Sequence, residues 1–301
     1  MDQKRFLKAD IAGAISDLQA SMKEFLLKRR LYRLLLRGKG LEFESYRSYA
    51  PDDDAASIDW KASKRANSLL VKQYRDERNL RVVFLVDMGD NMVFGSRDKL
   101  KCEYTAEVVA AFSHLITTTG DKPGFVFFSD KMKEYIKPSR GKKHFSRFVD
   151  YITNPEHYGG FTDLNKGLEF ALSYIGRDVE SLIIVSDFLS YNKEAKINLS
   201  LVARKFETTA LMIRDPLDNT LPNFSGEIVV EDPRTGQQLL VNPKVAKEAF
   251  EKYAEDQISA IKKDCLLSNI DLLEITTDTL FVPTLSSFLK GRIKQKARIG
   301  K

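Results

Sequence analysis

From Arg81 onward the chain alternates short, uninterrupted apolar runs with longer segments whose apolar residues recur every three or four positions. The runs RVVFLVD (81–87), PGFVFFSD (123–130), SLIIVSD (181–187) and ETTALMIRD (207–215) are rich in β-branched and aromatic residues and lack polar alternation. A strand reads this way when both its faces are covered, because a strand with one wet face alternates apolar with polar residues. NIDLLEITT (269–277) adds another strand, and KEYIKP (133–138) reads as an edge partner of the second run. Helical periodicity fills 99–119 and the segments near 142–153, 163–176, 193–204, 243–267 and 283–297. GEIVVEDPRTGQQLLV (226–241) reads as a hairpin turning at Arg234-Thr235-Gly236. The expected fold class is α/β, a doubly wound and mostly parallel sheet covered by helices on both faces.

The region before Arg81 has a different texture. Leu7, Ile11, Ala14, Ile15, Leu18, Met22, Phe25, Leu26, Tyr32 and Leu36 form one apolar stripe, which predicts a helix over 8–37 stopped by Gly38-Lys39-Gly40. Two extended pieces follow, in LEFESYRSYA and SLLVKQY. Between them lie the acidic turn Pro51-Asp52-Asp53-Asp54 and the segment Ser57-Ile58-Asp59-Trp60. The expected division is an N-terminal helix with a small β extension over 1–79, then an α/β domain over 80–301 with a hairpin insertion near 226–241.

With 43% hydrophobic and 30% charged residues in 301, the chain has ample material for a core and no signature of disorder. No apolar run approaches the ~20 residues that span a bilayer. The first residues lack the apolar stretch and cleavage site of a secretory signal, so a cytoplasmic address is expected. Cys102 and Cys265 fall far apart in predicted helices and read as small buried hydrophobes. The net charge of +6 is uneven: residues 1–40 hold ten Lys/Arg against four Asp/Glu, and KGRIKQKARIGK closes the chain. These read as a solvated helix face and a basic tail. No aromatic-interleaved basic motif, zinc spacing or helix-turn-helix pattern accompanies them, so nucleic acid is not the expected partner. SRGKKH (139–144) reads as the cover of a helix start, Trp60 as a core anchor and His114 as a helix-face residue. His144 and His157 have no second ligand at a metal spacing.

In sheets of this class ligands bind beyond the carboxyl ends of the strands, where the strand order reverses. That singles out Asp87 to Asn91, Ser129-Asp130, Asp187 and Asp215. Thr162, in GGFTDL just before a helix, faces the same edge. Asp87, Thr162 and Asp187 together could offer the oxygen set that a hard divalent cation such as Mg²⁺ takes. Equally, each aspartate could cap a helix or close a turn.

This layout resembles von Willebrand factor type A domains, in which D-x-S-x-S, a threonine and a later aspartate form a metal-ion-dependent adhesion site. The stretch GKGLEFESYRSYAPDDDAASIDWKASKRANSLLVKQYRDERN is similar to the signature of the domain of unknown function 58 family, which precedes such a domain. Gly38, Gly40, Glu42, Phe43, Arg47, Tyr49, Asp53, Asp54, Ile58, Asp59, Trp60, Val71, Lys72 and Glu77 carry it, and the likeness spans roughly residues 36–290. The resemblance implies a Rossmann-type, von Willebrand factor A-like fold. It also implies a non-enzymatic protein-binding module that works with a MoxR-type AAA+ ATPase in assembling or maturing protein complexes, on an acidic client. Its metal ligands would be Asp87, Thr162 and Asp187, with Asn91 as a replacement, around Mg²⁺ or another divalent cation. The partner-binding rim would be Gly89, Asp90, Ser129 and Asp130. This chain departs from the pattern where both motif serines are missing, in Asp87-Met88-Gly89-Asp90-Asn91. Asp52 stands for the usual glycine of the acidic turn and Ser57 for an arginine. The alternative is a metal-free interaction scaffold on the same fold. A metal-dependent phosphate-ester hydrolase is the third reading, and no nucleophile, general base or phosphate cradle supports it.

Overall fold

Strands with wholly apolar interiors must lie side by side beneath helices, and the computed structural model shows that arrangement. It describes residues 7–26, 43–50, 53, 58–74, 79–231 and 236–299. The N-terminal region contains α1 (Ile11–Leu26), β1 (Phe43–Ser48), α2 (Trp60–Ala66) and β2 (Leu70–Tyr74). Next come β3 (Arg81–Asp87), α3 (Lys101–Thr118), β4 (Lys122–Phe128), β5 (Met132–Ile136), α4 (Lys142–Ile152) and α5 (Leu164–Tyr174). Then follow β6 (Ser181–Ser186), α6 (Lys193–Lys205), β7 (Glu207–Arg214), β8 (Ile228–Glu231) and β9 (Gln238–Val241). The chain closes with α7 (Pro243–Leu267), β10 (Asp271–Thr276) and α8 (Phe281–Ile299).

The main sheet has the order β10-β7-β6-β3-β4-β5. Its pairs are parallel except β4 with β5, which is the antiparallel edge expected from KEYIKP. The chain leaves β3 towards β4 and β5, then returns to lay β6 on the opposite flank of β3, so the order reverses between β3 and β6. Alternate residues of β3 serve opposite cores. Val82, Phe84 and Val86 pack with α1, α3, α4 and α8, while Val83 and Leu85 pack with α5, α6 and α7. Both faces of β6 are buried throughout. Burying each such Val, Leu, Ile or Phe contributes about 1.5–3 kcal/mol, so this layered core dominates the stability of the domain.

α1 belongs to that core. Ala14, Leu18 and Met22 are buried, and the chain just ahead of the helix is tied down by acids on α3. Lys8 N donates to Glu103 Oε1 and Asp10 N to Glu107 Oε1, each at 2.7 Å. The predicted continuation of this helix to residue 37 and its Gly38-Lys39-Gly40 stop lie outside the described residues. So do Glu42, Asp52, Asp54, Ser57, Glu77, Arg234, Thr235 and the basic side chains between Lys290 and Lys301.

In the extension, β1 and β2 pair antiparallel, and α2, which connects them in sequence, packs against β2. Asp59 caps α2 by accepting from Lys61 N at 3.0 Å and Ala62 N at 3.1 Å. Arg47 grips Asp53 with both guanidinium nitrogens, at 2.6 and 2.5 Å, and holds its carboxyl down to about 2. Trp60 corrects the sequence expectation: it is 67% exposed. It opens a helix of seven residues whose buried contact is Ser63, and a two-stranded ribbon offers no second layer to cover an indole. The β8–β9 hairpin is exposed on both faces, with Val229 opposite Leu240 and Val230 opposite Leu239. Among the described residues no helix is long and apolar enough to cross a membrane.

Two measurements check this architecture. The single tryptophan is expected to be quenched by acrylamide and iodide almost as freely as in the unfolded chain, whereas a core indole would be protected. Burial pushes the thiols of Cys102 and Cys265 up to about 12, with Glu103 and Asp264 adding to the shift. Neither is therefore expected to react with a disulfide reagent at pH 8 until denaturant is added. Prompt labelling of a native thiol would contradict the packing.

Candidate functional site

β3 and β6 pair in register from Val82 with Ser181 to Val86 with Val185, so the next residues of both strands emerge at one edge. There Asp87 and Asp187 come together, and both are buried. Asp87 Oδ1 accepts from Gly89 N and from Thr162 Oγ1, each at 2.9 Å, and its Oδ2 accepts from Ser186 Oγ at 2.8 Å. Asp187 Oδ1 accepts from Leu189 N at 3.0 Å. Its Oδ2 takes two donors, Asn91 Nδ2 at 2.6 Å and Lys101 Nζ at 2.7 Å. Burial, then the Asp187 charge, push the Asp87 carboxyl up to about 6 despite its three donors.

Lys101 is the side chain that organises this pocket. It is the first residue of α3, 1% exposed, and its ammonium also reaches Asp218 Oδ2 at 2.9 Å. The ring of Phe94 lies with its centroid 5.7 Å from the ammonium. Burial opposes the charged form of Lys101, yet the Asp187 and Asp218 carboxylates outweigh it and raise its pKa above the ordinary lysine value. Arg214, fully buried, braces the far side by donating through Nε to the Asp187 carbonyl at 3.0 Å and through Nη2 to Gln257 Oε1 at 2.7 Å.

The loops around the crevice are held by backbone. Met88 N donates to Phe128 O at 2.8 Å, Gly159 N to Met88 O at 3.0 Å and Asp90 N to Gly160 O at 2.9 Å. Gly160 takes φ +81, a left-handed conformation that favours glycine, and passes close to Asp130, where a Cβ would lie 3.0 Å from Oδ1. Phe188, directly after Asp187, is buried at φ +58. That left-handed conformation costs a non-glycine residue about 1–2 kcal/mol. It turns the chain sharply enough for the Leu189 amide to reach back to the Asp187 carboxylate.

The sequence-predicted residues therefore divide. Asp87, Asn91, Thr162 and Asp187 converge, and buried Gly89 lies beneath them. Asp90 and Asp130 are exposed on the rim, while Ser129 is buried and donates through Oγ to Asp130 Oδ1 at 2.9 Å. Asp215 is a brace: it caps the 216–218 turn through Leu217 N at 2.9 Å and fixes Ser96 through N at 2.8 Å and Oγ at 2.6 Å. Sequence reasoning missed Lys101, Ser186, Asp218 and Phe188. Lys101 had one faint signal, a lysine in the first turn of a helix, where the macrodipole disfavours a cation.

A divalent cation held here would need oxygens free to face it, at about 2.0–2.6 Å. Asp87 Oδ1 and Asp187 Oδ2 each already accept two hydrogen bonds, one of those on Asp187 coming from the Lys101 ammonium, and Thr162 Oγ1 is committed to Asp87 and in contact with Asn91 Oδ1. A Cβ on Gly89 would meet Thr162 Oγ1 and Asn91 Oδ1, so both side chains would have to turn aside to admit a motif serine. No group of three His, Cys, Asp or Glu among the described residues is arranged to hold a metal. The residues in this arrangement do not fit a resident divalent cation.

Comparison with known proteins gives the fold its relatives. The family described as "Protein of unknown function DUF58" matches residues 45–260. The uncharacterized protein Mb1516 of Mycobacterium bovis is 25% identical over 292 residues, covering 94% of this chain and 90% of its own. The uncharacterized protein YeaD of Bacillus subtilis is 26% identical over 108 residues, covering 36% of this chain and 25% of its own. Among solved structures, the conserved hypothetical protein BatB from Bacteroides thetaiotaomicron aligns at 15% identity with a TM-score of 0.48, covering 73% of this chain and 99% of its own. The SpRpn10 VWA domain aligns at 10% identity with a TM-score of 0.38, covering 71% and 95%.

The turn after Asp187 gives a direct test. Phe188→Ala keeps the backbone cost and empties the core, so a loss of about 3–5 kcal/mol is expected in urea unfolding. Phe188→Gly opens the same cavity but relieves the backbone, so its loss is expected to be about 1 kcal/mol smaller. An equal or greater loss for glycine would show that the left-handed turn is not strained.

Proposed function

This chain belongs to the DUF58 family, and we propose on that premise that it is a protein-interaction module that docks partners on the rim of the β3–β6 crevice. The von Willebrand factor A-like fold is consistent with such a module. One observation carries the reading. Three loops each bring exposed apolar side chains to the crevice edge: Val93 and Phe94 after β3, Phe161 before α5 and Leu189 after β6. Three of them sit next to a residue of the buried polar cluster, because Phe94 lies against Lys101, Phe161 precedes Thr162 and Leu189 bonds Asp187. Exposed apolar side chains around a rigid polar floor are the anatomy of a docking site, where a few aromatic anchors supply most of the affinity.

The partner class follows from the family resemblance, a MoxR-type AAA+ ATPase, with an acidic client as the second ligand. Exposed Arg97, on the loop carrying Val93 and Phe94, gives this rim a cation for an acidic segment. Capture in this reading runs through side chains alone. The crevice oxygens that would hold a bridging metal are engaged with each other, with Lys101 and with Asn91.

Binding of a purified MoxR-type ATPase tests it. The double variant Phe94→Ser, Phe161→Ser is expected to weaken binding roughly tenfold or more in a protein that remains folded. Unaltered affinity in a folded double variant would refute the rim as the docking surface.

A further inference from the structure

We infer that the Lys101 ammonium is the resident cation of the crevice, occupying by covalent attachment the electrostatic role a divalent ion would play between the strand-end carboxylates. Three observations converge on it. The ammonium is completely enclosed and bridges Asp187 and Asp218, carboxylates on loops that follow two different strands. Asp187 Oδ2 has a second partner in Asn91 Nδ2, which ties the loop after β3 to the loop after β6. Lastly, the position of the first motif serine is Gly89, and the volume above it is taken by Thr162 and Asn91.

The electrostatics explain why one cation excludes the other. A buried carboxylate is costly unless hydrogen-bonded or paired, and a positive charge close by is its strongest compensation. Lys101 supplies that charge at 2.7 Å from Asp187. A divalent ion bonded to the same oxygen would stand within a few ångströms of the ammonium, in a medium that screens poorly. The amine has no exit to solvent, since its stem is packed at the start of α3 and its backbone N–H is tied to Phe94 O at 2.8 Å. The lysine therefore holds the site and the metal is shut out. This holds whether or not the rim docks a partner.

The test uses the whole chain with the metals alone: chelator, then Mg²⁺, Ca²⁺ or Mn²⁺, read by melting temperature and by the loss of the free Mn²⁺ resonance signal. Wild type is expected to show neither a shift nor Mn²⁺ uptake. Lys101→Met removes the charge and leaves the oxygens, and it is expected to take up Mn²⁺. Its melting temperature should rise by about 5 °C or more when the cation exceeds its dissociation constant about a hundredfold. Adding Asp187→Asn to that variant is expected to abolish the response. If Lys101→Met does not fold alone, the inference requires that either Mn²⁺ or the added Asp187→Asn restore folding, because each corrects the same charge imbalance. Cation-dependent stabilisation of wild type that disappears in Asp187→Asn would overturn the inference. So would a Lys101→Met protein that folds yet ignores every cation, or one that neither Mn²⁺ nor Asp187→Asn rescues.

Discussion

Where β3 and β6 pair, two carboxylates are delivered to a place from which water is excluded, and the whole carboxyl edge is built around keeping them there. The pairing is a topological necessity. Two strands apolar on both faces find cover in the centre of the sheet, and the order reverses between them. Their ends then meet under loops that come from opposite directions. A buried charge in that position is tolerated only when its hydrogen-bonding and Coulomb needs are met inside the protein. Ser186, Thr162, the Gly89 amide, the Leu189 amide, Asn91 and Lys101 meet them between Asp87 and Asp187.

That network links the site to the fold. Asp218 and Asp215 sit in the turn after β7, and they receive Lys101 from α3 and Ser96 from the loop after β3. Arg214 joins β7 to the Asp187 backbone and to α7 through Gln257. Elements far apart in sequence thus share one set of polar contacts at the edge, and the apolar rim residues stand on a platform with little freedom to move. Removing one partner from a buried pair of this kind typically costs about 3–5 kcal/mol, since the other charge is left unmatched. The rigidity of the rim and the stability of the domain accordingly rest on the same contacts.

The legible part of the sequence was its periodic part. Uninterrupted runs such as RVVFLVD and SLIIVSD mark strands covered on both faces, and the boundaries of β3 and α7 agree closely with the patterns. Convergence of Asp87, Thr162, Asp187 and Asn91 was legible too, because strand ends in such a sheet gather at one edge. Partners that depend on reach were not. Lys101 is an ordinary first-turn lysine until α3 is laid against the crevice, and Ser186 faces Asp87 only through the parallel register of β3 and β6. Trp60 misled for the opposite reason: indoles usually find a core, and the β1–β2 ribbon has none to offer. Phe188 carries no sequence mark at all, since no propensity places phenylalanine in a left-handed turn.

The close packing above Gly89 has an evolutionary consequence. A serine introduced there drives its Cβ into Thr162 while the ammonium still fills the charge balance, so the change brings crowding without a ligand to justify it. Loss of the amine alone takes the shared partner from Asp187 and Asp218 and leaves only Arg214 to balance them in a dry pocket. Each single step unsettles the charge or the packing of the site, although the two together describe a coherent alternative. A substitution at position 89 or 101 is therefore conditional on the residue at the other, so a switch to an ion-holding site would require the two to change together.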